Sequence, residues 1–363
     1  MALKRKLAPI FAAVASATLI AGCSGTDSDT DQVGASSARD SLVLVDGDSQ
    51  GYITFDTDRE VLRGYTRDGK KVWQEQRYFP TDVHCVKACP DAAVSATADM
   101  NTSTSQTQVL WKHGGSSTTQ SFGQKSLVVQ WARNRDTWVA TSESGIVWSD
   151  RGKIRTQNFP KGISDAMGRL SQDHEELLIS VQQNGAKDWS AFRFPVSGGR
   201  LSPSLISTSL PGGVGCLSLD QGKMWTIGDG ASEFSLTTGK KIRATGQFAS
   251  DCAMSDASTV LGAFSASSDE SVQDISIASE IRPTSFKTIT VKSAGEIGIF
   301  QDCGVLLSNG RLTTLSPQGK KKETDVDAHS MTTVPNGDVY SIGRSGKVER
   351  HTITADDENC HIS

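Results

Sequence analysis

Past residue 40 the chain is a succession of short apolar runs broken by polar, Gly-containing turns. "SLVLVDG", "QGYITFD", "EVLRGYT" and "KKVWQEQ" open the series, rich in Val, Ile, Tyr, Thr and Trp. β-Branched and aromatic residues in runs of four to seven predict strands. Helical spacing is nearly absent. Asp173–Leu178 comes nearest to it, yet Leu177-Leu178-Ile179-Ser180-Val181 reads as a strand.

The turns recur. A Gly followed by Lys or Arg stands at Asp68-Gly69-Lys70, Arg151-Gly152-Lys153, Gly198-Gly199-Arg200, Thr238-Gly239-Lys240, Gln318-Gly319-Lys320 and Ser345-Gly346-Lys347. Gly supplies the positive φ of a tight hairpin, and the cation keeps an outer strand soluble. Successive spacings are 83, 47, 40, 80 and 27 residues, two of them near twice a beat of about 40, with weaker turns near Gly114-Gly115 and Pro283 filling the gaps. A second element runs in parallel, in "GCLSLDQGKMWTIG", "DCAMSDASTVLGAFSA", "DCGVLLSNGRLTTLS" and "HSMTTVPNGDVYSIG", with "ACPDAAVSATAD" a weaker copy. Four short strands per period of 40–50 residues is the signature of a β-propeller. The expected fold is all-β, with eight blades rather than seven. The short last beat suggests that the N-terminal strand Ser41–Asp46 completes the final blade and closes the ring.

Gly69-Lys70-Lys71-Val72-Trp73 resembles the Gly-Lys-x-x-Trp piece of quinoprotein-type (PQQ-like) propellers, in which the Trp packs between neighbouring blades. "NGRLTTLSPQGK" and "NGDVYSIGRSGK" are similar to inner-strand pairs of PQQ-like or WD40-like repeats. Trp111, Trp131, Trp138, Trp148 and Trp189 are candidates for exposed aromatics, with packing between blades the expectation for most of them.

The first residues change the picture of where this scaffold sits. Lys4-Arg5-Lys6 precedes an uncharged run from Leu7 to Ile20, the pattern of an export signal. Ile20-Ala21-Gly22-Cys23 resembles the lipobox of bacterial lipoproteins. That resemblance implies cleavage before Cys23 and acylation of its sulfur. Ser24 to Asp40 offers one Val and no aromatic residue to a core and reads as a flexible tether. Its Asp27-x-Asp29-x-Asp31 lacks the Gly and Glu that a calcium loop needs at its sixth and twelfth positions. The expected organisation is a signal peptide over 1–22, a lipidated cysteine and tether over 23–40, and one propeller domain over 41–363.

Of 37 Lys and Arg residues three lie in the signal, leaving 34 against 41 Asp and Glu, with no dense basic run. Binding to nucleic acid through phosphate neutralisation is therefore disfavoured. Six cysteines follow Cys23, and six allow fifteen pairings. Cys85 and Cys89 suit a local bridge, with a zinc site built on His84, Cys85 and Cys89 as the alternative. Cys216 and Cys252 begin successive repeats and suit a bridge between adjacent blades. Cys303 and Cys360 would then clip the C-terminal tail, while a Cys252–Cys303 pair and unpaired thiols stay open.

No catalytic residue, cofactor or metal site emerges. The chain has no Gly-x-Ser-x-Gly elbow between strand and helix, and Thr66–Lys70 lacks a residue that a sialidase Asp-box carries. The adjacent cysteine pair of quinoprotein dehydrogenases is missing too. The sequence thus points to a membrane-anchored, extracytoplasmic scaffold for an envelope protein or glycan, similar to an actinobacterial lipoprotein. An extracytoplasmic lyase or glycosidase on the same scaffold, or a small-molecule sensor, is the alternative.

Overall fold

The computed structural model describes residues 41–363, apart from 77–79, 87, 98–106, 114–115, 122–125, 135, 172–175, 196–200, 229, 246–247, 255–257, 267–270, 280–285, 293–295, 335–336 and 357–358. The signal, Cys23 and the tether lie outside the described residues. Eight four-stranded antiparallel sheets follow one another along the chain, spanning 42–76, 80–121, 126–158, 163–210, 214–244, 251–292, 296–325 and 328–362. They are called here the first to the eighth sheet. Within each, strands pair in sequence order.

The arrangement is that of a β-propeller. The first strand of each sheet packs against the first strand of the next, and Leu42–Gly47 of the first sheet packs against Ala328–Thr333 of the eighth. Exposure follows this geometry. Middle strands such as Gly145–Asp150 and Glu176–Gln183 are buried almost throughout, whereas fourth strands such as Lys153–Asn158 and Lys321–Asp325 face solvent. The apolar residues that predicted strands therefore form the layers between sheets.

The Gly-Lys turns fall largely where a repeat should put them. Gly69, Gly152, Gly239 and Gly319 each join the third and fourth strands of a sheet at a φ of +64° to +83°. Gly346 also has a positive φ, but it joins the second and third strands of the eighth sheet. The short last beat is thus a change of hairpin, and enough chain remains beyond it for two more strands, Val348–Ala355 and Cys360–Ile362. The expected completion of the last blade by Ser41–Asp46 is not what the pairing shows. Leu42–Gly47 pairs with Gly51–Asp56, and Cys360–Ile362 completes the eighth sheet. Asp48 holds that first turn, its Oδ1 accepting from the amides of Gln50 (2.7 Å) and Gly51 (3.1 Å). A tight local hairpin costs less loop entropy than pairing with Val348–Ala355, more than 300 residues away.

Trp73 packs as its motif implies. It lies in one cluster with Ile53 and Leu62 of its own sheet and Cys85, Cys89 and Ala92 of the second, and its indole N–H donates to the Pro90 carbonyl at 2.7 Å. A Cβ on Gly64 would sit 2.3 Å from the indole, so the ring needs glycine beneath it. Trp131, Trp138, Trp148 and Trp189 are buried as well. The side chain of Trp111 lies outside the described ones.

Candidate functional site at the inner strands

Five inner strands carry an irregularity, four of them near their start and the first sheet's near its end. The register of the first hairpin slips just before Asp46, Asp82, Asp165, Cys216 and Ser330. Such a bulge re-aims the side chain that follows it. Asp46 and Asp165 each accept the next residue's N–H on Oδ1 at 2.8 Å, and Asp251, at the start of its own inner strand, does the same with Cys252.

Side chains of the inner strands, the re-aimed Asp46, Cys216 and Ser330 among them, tie one inner strand to the next. Arg169 of the fourth sheet donates to the Gly215 carbonyl of the fifth. A disulfide joins Cys216 of the fifth sheet to Cys252 of the sixth, their Cα atoms 5.7 Å apart. Glu296 of the seventh sheet accepts from Ser330 Oγ (3.1 Å) and the Met331 amide (2.5 Å) of the eighth. Ser330 Oγ in turn accepts the Leu44 amide of the first sheet (3.1 Å), and His329 Nε2 donates to the Leu42 carbonyl (2.7 Å). Asp46 and Asp48 then reach the second sheet, accepting from the Cys85 and Cys89 amides at 2.6 and 2.7 Å.

Electrically the wall is acidic. Desolvation raises the carboxyl groups of Asp165 and Asp251 above the usual carboxylate range, while the Arg169 guanidinium pulls Asp251 partly back. Glu296 is accessible to water yet enclosed by neighbouring strands. Desolvation pushes its carboxyl up to about 7, with the like charge of Asp251 adding to the rise and the Met331 and Ser330 donors opposing it. A carboxyl near 7 beside a second carboxyl, on which an arginine acts, has the equipment for proton transfer. Among the described residues no group of three or more His, Cys, Asp and Glu is placed to hold a metal ion.

The other two disulfides are Cys85–Cys89 and Cys303–Cys360, with Cα separations of 5.1 and 5.9 Å. All three pairs are among those expected, Cys85–Cys89 as a local bridge and Cys216–Cys252 from the repeat alignment; Cys252 does not bond to Cys303, and the two sulfurs considered for zinc are bonded to each other. The acidic inner-wall residues were not singled out from the sequence. Their signal is visible in retrospect as an Asp in the first strand of a repeat, in Val45-Asp46-Gly47, Ser164-Asp165-Ala166 and Ser250-Asp251-Cys252.

No protein-family model matches the chain, and no curated protein matches it in sequence. Solved structures match its fold. BamB from Moraxella catarrhalis is similar over 86% of this chain and 94% of its own, at 14% identity and a TM-score of 0.54. Sqt1 from Chaetomium thermophilum, solved bound to the N-terminus of a ribosomal protein, covers 87% and 97% at 11% identity and 0.53. The computationally designed Ika8 protein covers 85% and 96% at 10% identity and 0.55. BamB and Sqt1 are β-propeller proteins, and at such low identity the likeness is one of fold.

Proposed function

We propose that this chain is a lipid-anchored, extracytoplasmic propeller of eight blades that presents a rigid surface to a protein or glycan partner. The observation that carries this reading is a repeated exposure. Val72, Ile154, Leu205 and Ile242 are exposed apolar side chains, and each is the second residue of the fourth strand of its sheet. Single exposed apolar residues are ordinary, but recurrence at one register position in four sheets marks a surface suited to contact. The eight sheets in sequence order and the circuit of contacts between their inner strands support eight blades. Sqt1 offers a precedent in fold for a propeller that holds a peptide segment. The Cys23 lipid would hold the scaffold at the membrane, with residues 24–40 as its tether.

Two measurements test the reading. Cys23→Ser should abolish fatty-acid labelling and release the protein from membranes, and retention of both in the variant would remove the anchor. A photo-crosslinking residue at 154, 205 or 242 should give the same discrete adduct in cells, and one at Glu349 should give none. Adducts that do not distinguish these positions would overturn the contact surface.

Acid–base catalysis is the second reading, favoured by one observation, the Glu296–Asp251 pair with Arg169 on the inner wall. It requires that wild-type protein, and not Glu296→Gln, turn over an envelope glycan.

A further inference from the structure

We propose that Glu296 is a proton-operated latch joining the seventh sheet to the junction of the eighth and the first. The geometry is a relay through one carboxylate. The Leu44 amide donates to Ser330 Oγ, whose own hydroxyl proton is directed at Glu296 Oε1, while Glu296 Oε2 takes the Met331 amide. One side chain thereby touches the eighth sheet twice and, through Ser330, reaches the first strand of the molecule. It stands beside the seam at which the eighth sheet meets the first.

Its surroundings decide what a proton does there. The inner strand of the sixth sheet, Asp251–Met254, presents Asp251, and Arg169 of the fourth sheet acts on that carboxyl. The strand Ser258–Ala266 packs on the inner strand of Glu296, and neither it nor the next strand of the seventh sheet, Cys303–Ser308, has a charged residue. The inner strand of the eighth sheet brings His329, with one ring nitrogen on the Leu42 carbonyl. Among the described residues an ionised Glu296 therefore faces one negative neighbour, Asp251, and no basic group acts on it directly.

Ionised, the carboxylate accepts two charge-assisted hydrogen bonds but stands against Asp251, with part of its hydration displaced by the neighbouring strands. Protonated, it loses that repulsion. One oxygen then carries the proton and both accept more weakly, so the bonds to Ser330 and Met331, and with them the relay to Leu44, are loosened. The carboxyl is raised from 4.5 to about 7. Between those values the folded protein holds a proton that the unfolded chain has released. This contribution to stability is complete below about 4.5 and is lost as pH rises through about 7. The latch is relaxed in mildly acidic surroundings and loaded in neutral or alkaline ones.

The test is a thermal-unfolding series from pH 5 to 8.5 on wild type, Glu296→Gln and Asp251→Asn, with a carboxyl carbon NMR titration of wild type. The wild-type midpoint should fall by roughly 2–4 °C more than that of Glu296→Gln across the neutral range. In Asp251→Asn the fall should begin at lower pH, because a like charge is gone. The Glu296 carboxyl signal should titrate near neutrality. Parallel curves for wild type and Glu296→Gln, or a carboxyl midpoint below about 5, would overturn the latch. If the Gln variant fails to fold, the wild-type NMR titration alone decides.

Discussion

The junction between the fifth and sixth sheets and the junction between the eighth and first do the same job by different means. At the former the chain is continuous, and the Cys216–Cys252 disulfide ties two inner strands together. At the latter Leu42–Gly47 meets the inner strand of the eighth sheet, and the tie is made of side chains. Ser330 and His329 take and give hydrogen bonds to Leu44 and Leu42, and three tyrosines fill the space outside them. Tyr52 stacks on Tyr65 and leans on Tyr340, both with ring centroids 5.1 Å apart, and the Tyr340 hydroxyl donates to the Asp48 carbonyl at 3.2 Å. Burial, with Tyr65 and Tyr340 alongside, pushes the Tyr52 hydroxyl up to about 12. The closing seam is held by packing and polar contacts alone, where the internal junction adds a covalent bond to the packing of Trp225, Ile227, Ala249 and Met254.

The largest effect that follows from this contrast is at the covalent junction. Replacing Cys216 and Cys252 together by Ala opens a loop of 36 residues and should cost roughly 4 kcal/mol in the chain-entropy picture, read by denaturant unfolding. A loss below about 1 kcal/mol would mean that the side-chain ties alone suffice there too. Tyr340→Phe keeps the packing and removes one hydrogen bond, so a loss of about 1 kcal/mol is expected at the seam. A loss as large as that of the double cysteine variant would erase the distinction between the junctions.

The same contrast explains what could be read in the sequence. The cysteine junction was legible, because Cys216 and Cys252 head two similar repeats and matching positions on neighbouring inner strands come close. The beat of Gly-Lys turns was legible through Gly69, Gly152, Gly239 and Gly319, which all sit in the same hairpin of their sheets. Gly346 misled, since a glycine at positive φ before a lysine looks alike in any hairpin. Turn chemistry is local and does not say which two strands it joins. From that slip came the expectation that the N-terminal strand finishes the last blade. The seam itself left no signature, because its partners Leu44 and Ser330 lie 286 residues apart and are an ordinary leucine and serine. The inner-wall acids were hidden for a related reason. One Asp in a strand reads as noise until topology shows that Asp165, Asp251 and Glu296 belong to inner strands around one centre.

The central structural claim is that the first strand opens its own sheet and meets the last sheet only through side chains. Amide hydrogen exchange, resolved to single residues in wild type and Ser330→Ala, tests it most directly. The Leu44 amide should exchange slowly in wild type and about tenfold faster in the variant, the factor that corresponds to one lost hydrogen bond of about 1.4 kcal/mol. Amides of Leu42–Gly47 that pair with Gly51–Asp56 should keep their protection. A Leu44 amide equally slow in both proteins, or a first strand whose protection follows Val348–Ala355 instead of Gly51–Asp56, would contradict the account.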